Sequence, residues 1–112
     1  MKVLIACLCV MLAANCQQKK IATSIPNCIQ SYIDSNAMGG YLGGVEEYEY
    51  QGKLVYAFGP SQQIKDGATL IKAADCKNLC SVGGFAGPRN SNCNGENFFE
   101  KAVLKRKIWP QP

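Results

Sequence analysis

The sequence contains no histidine. Histidine is the usual general base near neutral pH and a frequent zinc ligand, so its absence excludes Ser-His-Asp and Cys-His catalysis and every zinc site that contains histidine. The chain also lacks an internal repeat and a low-complexity tract. We predict that the protein is not an enzyme, with no catalytic residues, no metal and no cofactor.

Acidic residues are few and poorly placed for acid-base chemistry. Three of the eight carboxylates, Glu46, Glu47 and Glu49, lie close together in the sequence. A catalytic pair needs two carboxyl groups that converge across a cleft, whereas strand alternation places Glu47 and Glu49 on one outward, solvated face. An enzyme that uses carboxylates alone therefore remains only a third hypothesis, because no convergent pair can be named.

The N-terminus has the pattern of a targeting signal. Lys2 precedes an uncharged apolar run over residues 3–14, which is shorter than the ~20 residues that span a bilayer. We predict a signal peptide over residues 1–16, no transmembrane segment, and a secreted, extracellular protein. Cleavage before Cys16 would instead leave a bacterial lipoprotein anchored through that cysteine, although Asn15 stands where such a peptidase prefers a small residue; cleavage after Ala14 is a further alternative.

The cysteine count agrees with export. The chain has seven cysteines, and removal of residues 1–16 leaves four, an even number that can form two disulfides: Cys28, Cys76, Cys80 and Cys93. Three pairings are possible, of which we favour Cys80 with Cys93 and Cys28 with Cys76. An all-thiolate zinc site is the alternative, whereas the CKNLC spacing is not that of thiol-disulfide exchange enzymes.

The charge balance is mildly basic. The net charge of +4 falls to +3 without Lys2, which is too diffuse to indicate nucleic acid. The basic run Lys105-Arg106-Lys107 has two interpretations: it pairs with the acidic strand, or it docks an acidic surface or a polyanion.

Hydrophobic periodicity predicts a single α+β domain over residues 27–112, preceded by an exposed arm over residues 17–26. A helix begins near Asn27, a possible cap, and ends before the glycine-rich residues 39–44. The segment "VEEYEYQGKLVYAFGP" predicts a β-hairpin that turns at Gln51-Gly52. We expect its aromatic residues to lie on one face, where they cover the core rather than bind a sugar or an apolar ligand.

The rest of the chain completes a small, mostly antiparallel sheet. Residues 68–75 and 79–82 predict a third and a fourth strand. Asn97 and Glu100 form a capping-box pattern for a short helix over residues 98–103. Leu104–Trp109 predicts an edge strand, because lysines and a following proline are what sheet edges tolerate. The predicted fold is an N-terminal helix packed on this sheet and stabilised by disulfides.

The stretch "GGFAGPRNSNCNGENFF" supplies the candidate binding residues. Its asparagines match early positions of an EF-hand calcium loop, but Lys101 stands where that loop requires glutamate. A weaker oxygen-ligand site that includes Glu96 is the alternative to a glycine- and asparagine-rich turn. We predict a disulfide-closed interaction loop over residues 83–97, with these candidate contacts: Phe85, Arg89, Asn90, Asn92 and Asn94.

The order of the motifs resembles a family of small secreted or lipid-anchored domains of unknown function. The matching features are a Y-x-Y-x-G-K-x-V-Y hairpin, the C-x-x-GG-x-x-G loop, "CIQSYIDS", and a late cysteine, phenylalanine and Ile-Trp pair, which together cover most of residues 27–109. The family offers no catalytic residues, and this chain is similar in form to secreted invertebrate proteins of extracellular or mineralising matrices. Bacterial members often carry extra cysteines where this chain has "GPSQ" after the second strand, so the family's disulfide scheme is not carried over.

Our leading hypothesis is a secreted, non-enzymatic structural or interaction component of the extracellular matrix. Its expected partner is an extracellular protein, a polysaccharide or a mineral surface, and not nucleic acid. The second hypothesis is a binding module or protease inhibitor that presents the loop over residues 83–97.

Overall fold

The computed structural model describes residues 24–110, apart from the side chains of Phe85, Ala86 and Pro88. The predicted signal peptide, the lipid anchor at Cys16 and most of the predicted arm lie outside the described residues. Within residues 24–110, no helix combines the length and the apolar character needed to cross a membrane.

The described chain is mostly antiparallel sheet with one helix of eleven residues, which agrees with the predicted α+β class. The elements and their bounds are α1 Asn27–Ala37, β1 Leu42–Tyr50, β2 Lys53–Pro60, β3 Ala68–Ala73, β4 Asn78–Gly83, a 3-10 helix Gly84–Arg89, β5 Asn92–Cys93, β6 Glu96–Asn97, α2 Phe98–Lys101 and β7 Val103–Trp109. The main sheet has the order β4-β3-β2-β1-β7.

Both ends of α1 follow from the sequence. Pro26 is the residue before the helix and makes no side-chain capping bond, so Asn27 is the first helical residue rather than the cap. The helix ends at Ala37, before the glycines, as predicted. Ile29 and Ile33, four residues apart on one stripe, are both buried against the sheet.

The sheet separates two apolar clusters. On one side, which we call the helix face, α1 covers a cluster of buried residues: Ile29, Ile33, Val45, Tyr56 and Phe58. On the other side, the loop face, the segment over residues 91–102 covers a second cluster: Tyr50, Val55, Ala57, Ile71, Val82, Cys93 and Phe98.

The hairpin of β1 and β2 corrects the predicted placement of the aromatic residues. Its turn, Gln51-Gly52, has positive φ angles of 52° and 77°, and it pairs Tyr48 with Val55. Because opposite residues share a face, Tyr48 lies on the loop face while Tyr56 lies on the helix face. The expectation that all hairpin aromatics share one face is wrong.

Two disulfides tie the surrounding segments to the sheet. Cys28 of α1 is bonded to Cys76, which follows β3, and Cys80 of β4 is bonded to Cys93 of β5. This is the pairing favoured from the sequence. Each bridge attaches one covering layer, the first on the helix face and the second on the loop face.

Candidate functional site

The asparagines of the predicted interaction loop bond to their own chain. The side chain of Asn90 donates to the backbone oxygen of Gly83 at 2.9 Å. The side-chain oxygen of Asn92 accepts from the backbone N–H of Gly95 at 3.4 Å. The structure therefore gives these asparagines a role in closing the loop.

Asn94 joins the loop to the tip of the main hairpin. Its side-chain amide donates to Oε1 of Gln51 at 2.8 Å, and its backbone oxygen accepts from Nε2 of Gln51 at 3.1 Å. Asn94 and Gly95 form the turn between β5 and β6, with φ angles of 53° and 92°. The Asn-Gly pair is a strong hairpin signal, and it would have predicted this small ribbon from the sequence.

The structure places the side chain of only one of the two remaining loop candidates. Arg89 is exposed at the end of the 3-10 helix. The side chain of Phe85 lies outside the described residues. Arg89 is therefore a group of the protein surface.

A partly buried ion pair between Glu47 and Arg106 joins β1 to β7. Glu47 is only 7% exposed, which contradicts its predicted place on a solvated outer face. Arg106 donates from Nε to Oε1 at 3.1 Å and from Nη2 to Oε2 at 3.2 Å, and Tyr56 donates to Oε2 at 2.9 Å. The sequence analysis missed this cluster because the pairing of Glu47 with Tyr56 follows from the hairpin register, which it did not use.

The hydrogen bonds of this cluster stabilise the packing of β1, β2 and β7. Burial, and then the hydrogen bond to Glu47, raises the pKa of Tyr56 to about 12, so its hydroxyl stays protonated and donating near neutral pH. Nearby, Lys105 lies 3.6 Å from Glu49, so the basic run does pair with the acidic strand, as one of its two interpretations expected. Both carboxylate oxygens of Glu47 accept hydrogen bonds from Arg106 or Tyr56, so the carboxylate stabilises the contact between these side chains.

The covering segment over residues 91–102 leaves an open groove beside the hairpin tip. This loop-side groove has a volume of about 600 Å³, and one wall is held by Tyr50, whose hydroxyl donates to the backbone oxygens of Cys93 and Glu96. Leu54 on the groove is 44% exposed. The lining residues are Tyr50, Gln51, Lys53, Leu54, Val55, Ala73, Ala74, Asp75, Leu79 and Asn94.

The predicted interaction loop forms part of the wall of this groove. Asn94, one of the candidate contacts, is part of its wall, although the groove itself was not predicted. Its apolar lining with a few polar groups at the rim is typical of binding sites rather than of metal centres. Among the residues that the structure describes, no three histidine, cysteine or acidic side chains are grouped closely enough to hold a metal ion.

Comparison with known proteins identifies a domain but no activity. A family model described as a domain of unknown function, DUF6970, matches residues 33–111, from the middle of α1 through β7. Three of the four disulfide cysteines lie inside the match, whereas Cys28 precedes it. No curated protein and no solved structure matches the chain significantly.

Proposed function

The chain belongs to the DUF6970 family of domains of unknown function, and we propose that it is a secreted, non-enzymatic interaction domain. In this proposal it binds an extended apolar segment of an extracellular protein in the loop-side groove. The observation that carries the proposal is the groove itself, about 600 Å³ of open space beside a disulfide-closed loop.

Export is supported by the two disulfides. Such bonds persist in oxidising compartments and are rare in the cytosol. The proposed setting, an extracellular matrix, also agrees with a small domain stabilised by covalent bridges.

The groove's chemistry supports an apolar protein segment as the ligand. Leu54 and Leu79 lie on its surface, while Lys53 and Asp75 both line it, so the charged groups do not favour one sign of ligand. An exposed leucine beside a concave apolar surface is typical of a place where a partner side chain inserts.

Cross-linking within the native fluid or matrix tests the binding surface. A photoreactive amino acid placed at Leu54 should capture one protein species reproducibly, and mass spectrometry should locate the bond in an apolar segment. Val103 of β7 is the matched control, because it is exposed to a similar degree, 55% against 44%, but is not among the residues that line the groove. Equal labelling from both positions, or none from Leu54, would contradict the proposal.

N-terminal sequencing of the native protein tests export separately. A mature chain that begins at Gln17 and is recovered outside the cell is the expected result. A lipidated Cys16 in a membrane fraction would replace secretion by the lipoprotein alternative, while an intact chain that begins at Met1 inside the cell would overturn export.

A further inference from the structure

A second groove lies on the loop face, toward the other end of β1 and β2. It has a volume of about 320 Å³. In the sheet register, Gly44 of β1 stands opposite Gly59 of β2, and the next pair on the same face is Glu46 with Ala57. The small residues form a shallow floor, so we call this the glycine-floored groove. Its lining residues are Gly43, Gly44, Glu46, Tyr48, Ala57, Gly59, Pro60, Thr69, Phe98, Phe99 and Lys107.

The two floor glycines have no local structural requirement. Neither has a positive φ, and a Cβ atom would lie 3.6 Å from the nearest atom at Gly44 and 3.8 Å at Gly59, which is ordinary contact. Gly43 differs, because a Cβ there would come within 2.1 Å of the backbone oxygen of Pro60. A glycine inside a strand costs about 0.5–1 kcal/mol relative to alanine. What Gly44 and Gly59 provide is open space above the sheet.

An aromatic cluster stands at one end of that space. Phe98 is buried and packs against Tyr48, with 5.2 Å between ring centroids, and against Phe99 at 6.0 Å. Phe99 is 60% exposed although it is held at the start of α2, whose first turn is capped by Asn97. A large aromatic ring fixed in solvent beside a cavity is a surface on which a flat apolar face can stack.

Polar groups of both signs complete the walls. Glu46 and Lys107 are cross-strand partners, and the hydroxyl of Tyr48 donates to Oε1 of Glu46 at 3.2 Å. Burial, then the charge and hydrogen bond of Glu46, raises the pKa of Tyr48, so this hydroxyl stays protonated near neutral pH. Thr69 adds another hydroxyl to the lining. The groove therefore offers donors and acceptors, and its two charged side chains carry opposite charges.

We propose that the glycine-floored groove binds a neutral sugar ring of an extracellular polysaccharide. A pyranose combines an apolar C–H face, which stacks on Phe99, with hydroxyl groups that donate to Glu46 and accept from Lys107 and Thr69. The opposite charges of Glu46 and Lys107 cancel, which disfavours a strongly anionic or cationic ligand. The open floor at Gly44 and Gly59 lets the ring approach the sheet backbone.

This sugar site goes beyond the proposed function and does not depend on it, because the loop-side groove shares no lining residue with it. A domain with both sites would join a polysaccharide to a protein partner.

Calorimetric titration of the exported protein with cellohexaose and chitohexaose tests the site, with a heparin hexasaccharide as the anionic comparison. We expect at least one neutral hexasaccharide to bind, and Gly59→Val to weaken that binding by about tenfold or more. Valine suits a strand, so the unfolding temperature of Gly59→Val should not fall. Weaker binding without a lower unfolding temperature would show that Gly59 serves ligand binding rather than the stability of the fold.

Phe99→Ala supplies a second variant in case Gly59→Val folds poorly. It should also weaken binding by about tenfold, whereas Val103→Ala, which removes a similarly exposed apolar side chain outside the groove, should leave it unchanged. Leu54→Asp, which alters only the loop-side groove, should not affect the sugar.

Three results would overturn the sugar site. They are the absence of binding to either neutral hexasaccharide, binding that persists in both Gly59→Val and Phe99→Ala, and binding to heparin alone. None of them bears on cross-linking from Leu54, so the sugar site and the proposed function can fail independently.

Discussion

Arg106 of the edge strand β7 holds Glu47 of β1 through two parallel contacts, of 3.1 Å from Nε and 3.2 Å from Nη2. The same guanidinium donates to the backbone oxygen of Ser24 at 3.1 Å. Tyr56 of β2 completes the group from the other side. One ion pair thus joins the sheet edge, the sheet centre and the segment that leads into α1.

Arg106→Ala should destabilise the protein by about 2 kcal/mol, because it leaves a buried carboxylate without its charge partner. Arg106→Lys should recover less than half of the loss, since an ammonium cannot reproduce the two parallel contacts. Urea unfolding followed by circular dichroism measures both.

Lys105→Ala is the control for the Arg106 variants. Lys105 pairs with Glu49 at 3.6 Å, and both side chains are about half exposed, so the change in stability should stay within about 0.5 kcal/mol. Equal effects at positions 105 and 106 would contradict a special role for the buried pair.

The hairpin shows which structural features the sequence pattern predicts and which require the strand register as well. Alternation and the Gln51-Gly52 turn predict two strands and their ends. Face assignment needs the register as well, and a two-residue turn that pairs Tyr50 with Lys53 sets Tyr56 beside Glu47. Alternation along β1 alone predicted a solvated Glu47, because it did not include the pairing with Tyr56.

The two grooves could not be predicted in the same way. Each groove lies where the segment over residues 91–102 no longer covers the loop face. The shape of each groove depends on packing between residues that are distant in the sequence. Gly44 belongs to the glycine-rich residues that predict the end of the helix, yet it lies in β1, and Gly59 lies in β2. Their pairing across the sheet is a property of the register.

The stabilisation that Tyr56 contributes should be lost in alkaline solution. Its pKa is raised to about 12 in the folded state, against about 10 in the unfolded chain. Because the folded-state value is the higher one, this stabilisation is fully present below about pH 10 and is lost as the pH rises through about 12. Urea unfolding between these values should show a falling free energy of unfolding.

Tyr56→Phe should flatten part of that alkaline decline, although it also removes the hydrogen bond to Glu47 and lowers stability near neutral pH. Tyr41→Phe is the control, since Tyr41 is 72% exposed. An unchanged alkaline slope in Tyr56→Phe would show that other groups cause the decline.

The two disulfides should differ in their effect on stability. Loop-closure entropy predicts about 3 kcal/mol for a bridge between residues 13 apart and about 4 kcal/mol for one between residues 48 apart. Replacing Cys28 and Cys76 by alanine should therefore destabilise the protein more than replacing Cys80 and Cys93. Urea midpoints of the two double variants test the order, and a reversed order would indicate that packing of the fully buried Cys93 outweighs loop length.

Gln51 should determine how firmly the loop-face cover is held. Its amide accepts from the side chain of Asn94 at 2.8 Å and donates to the backbone oxygen of Asn94 at 3.1 Å. Gln51→Ala removes these two bonds and a third, from Nε2 to Oε1 of Glu96 at 3.3 Å, so we expect a loss of about 1 kcal/mol and faster amide exchange in the β5–β6 ribbon than in α1. Gln62→Ala, at an exposed position between β2 and β3, should change neither quantity. Uniform exchange changes across both faces of the sheet would contradict a local anchor, because α1 is held on the opposite face by Cys28 and Cys76.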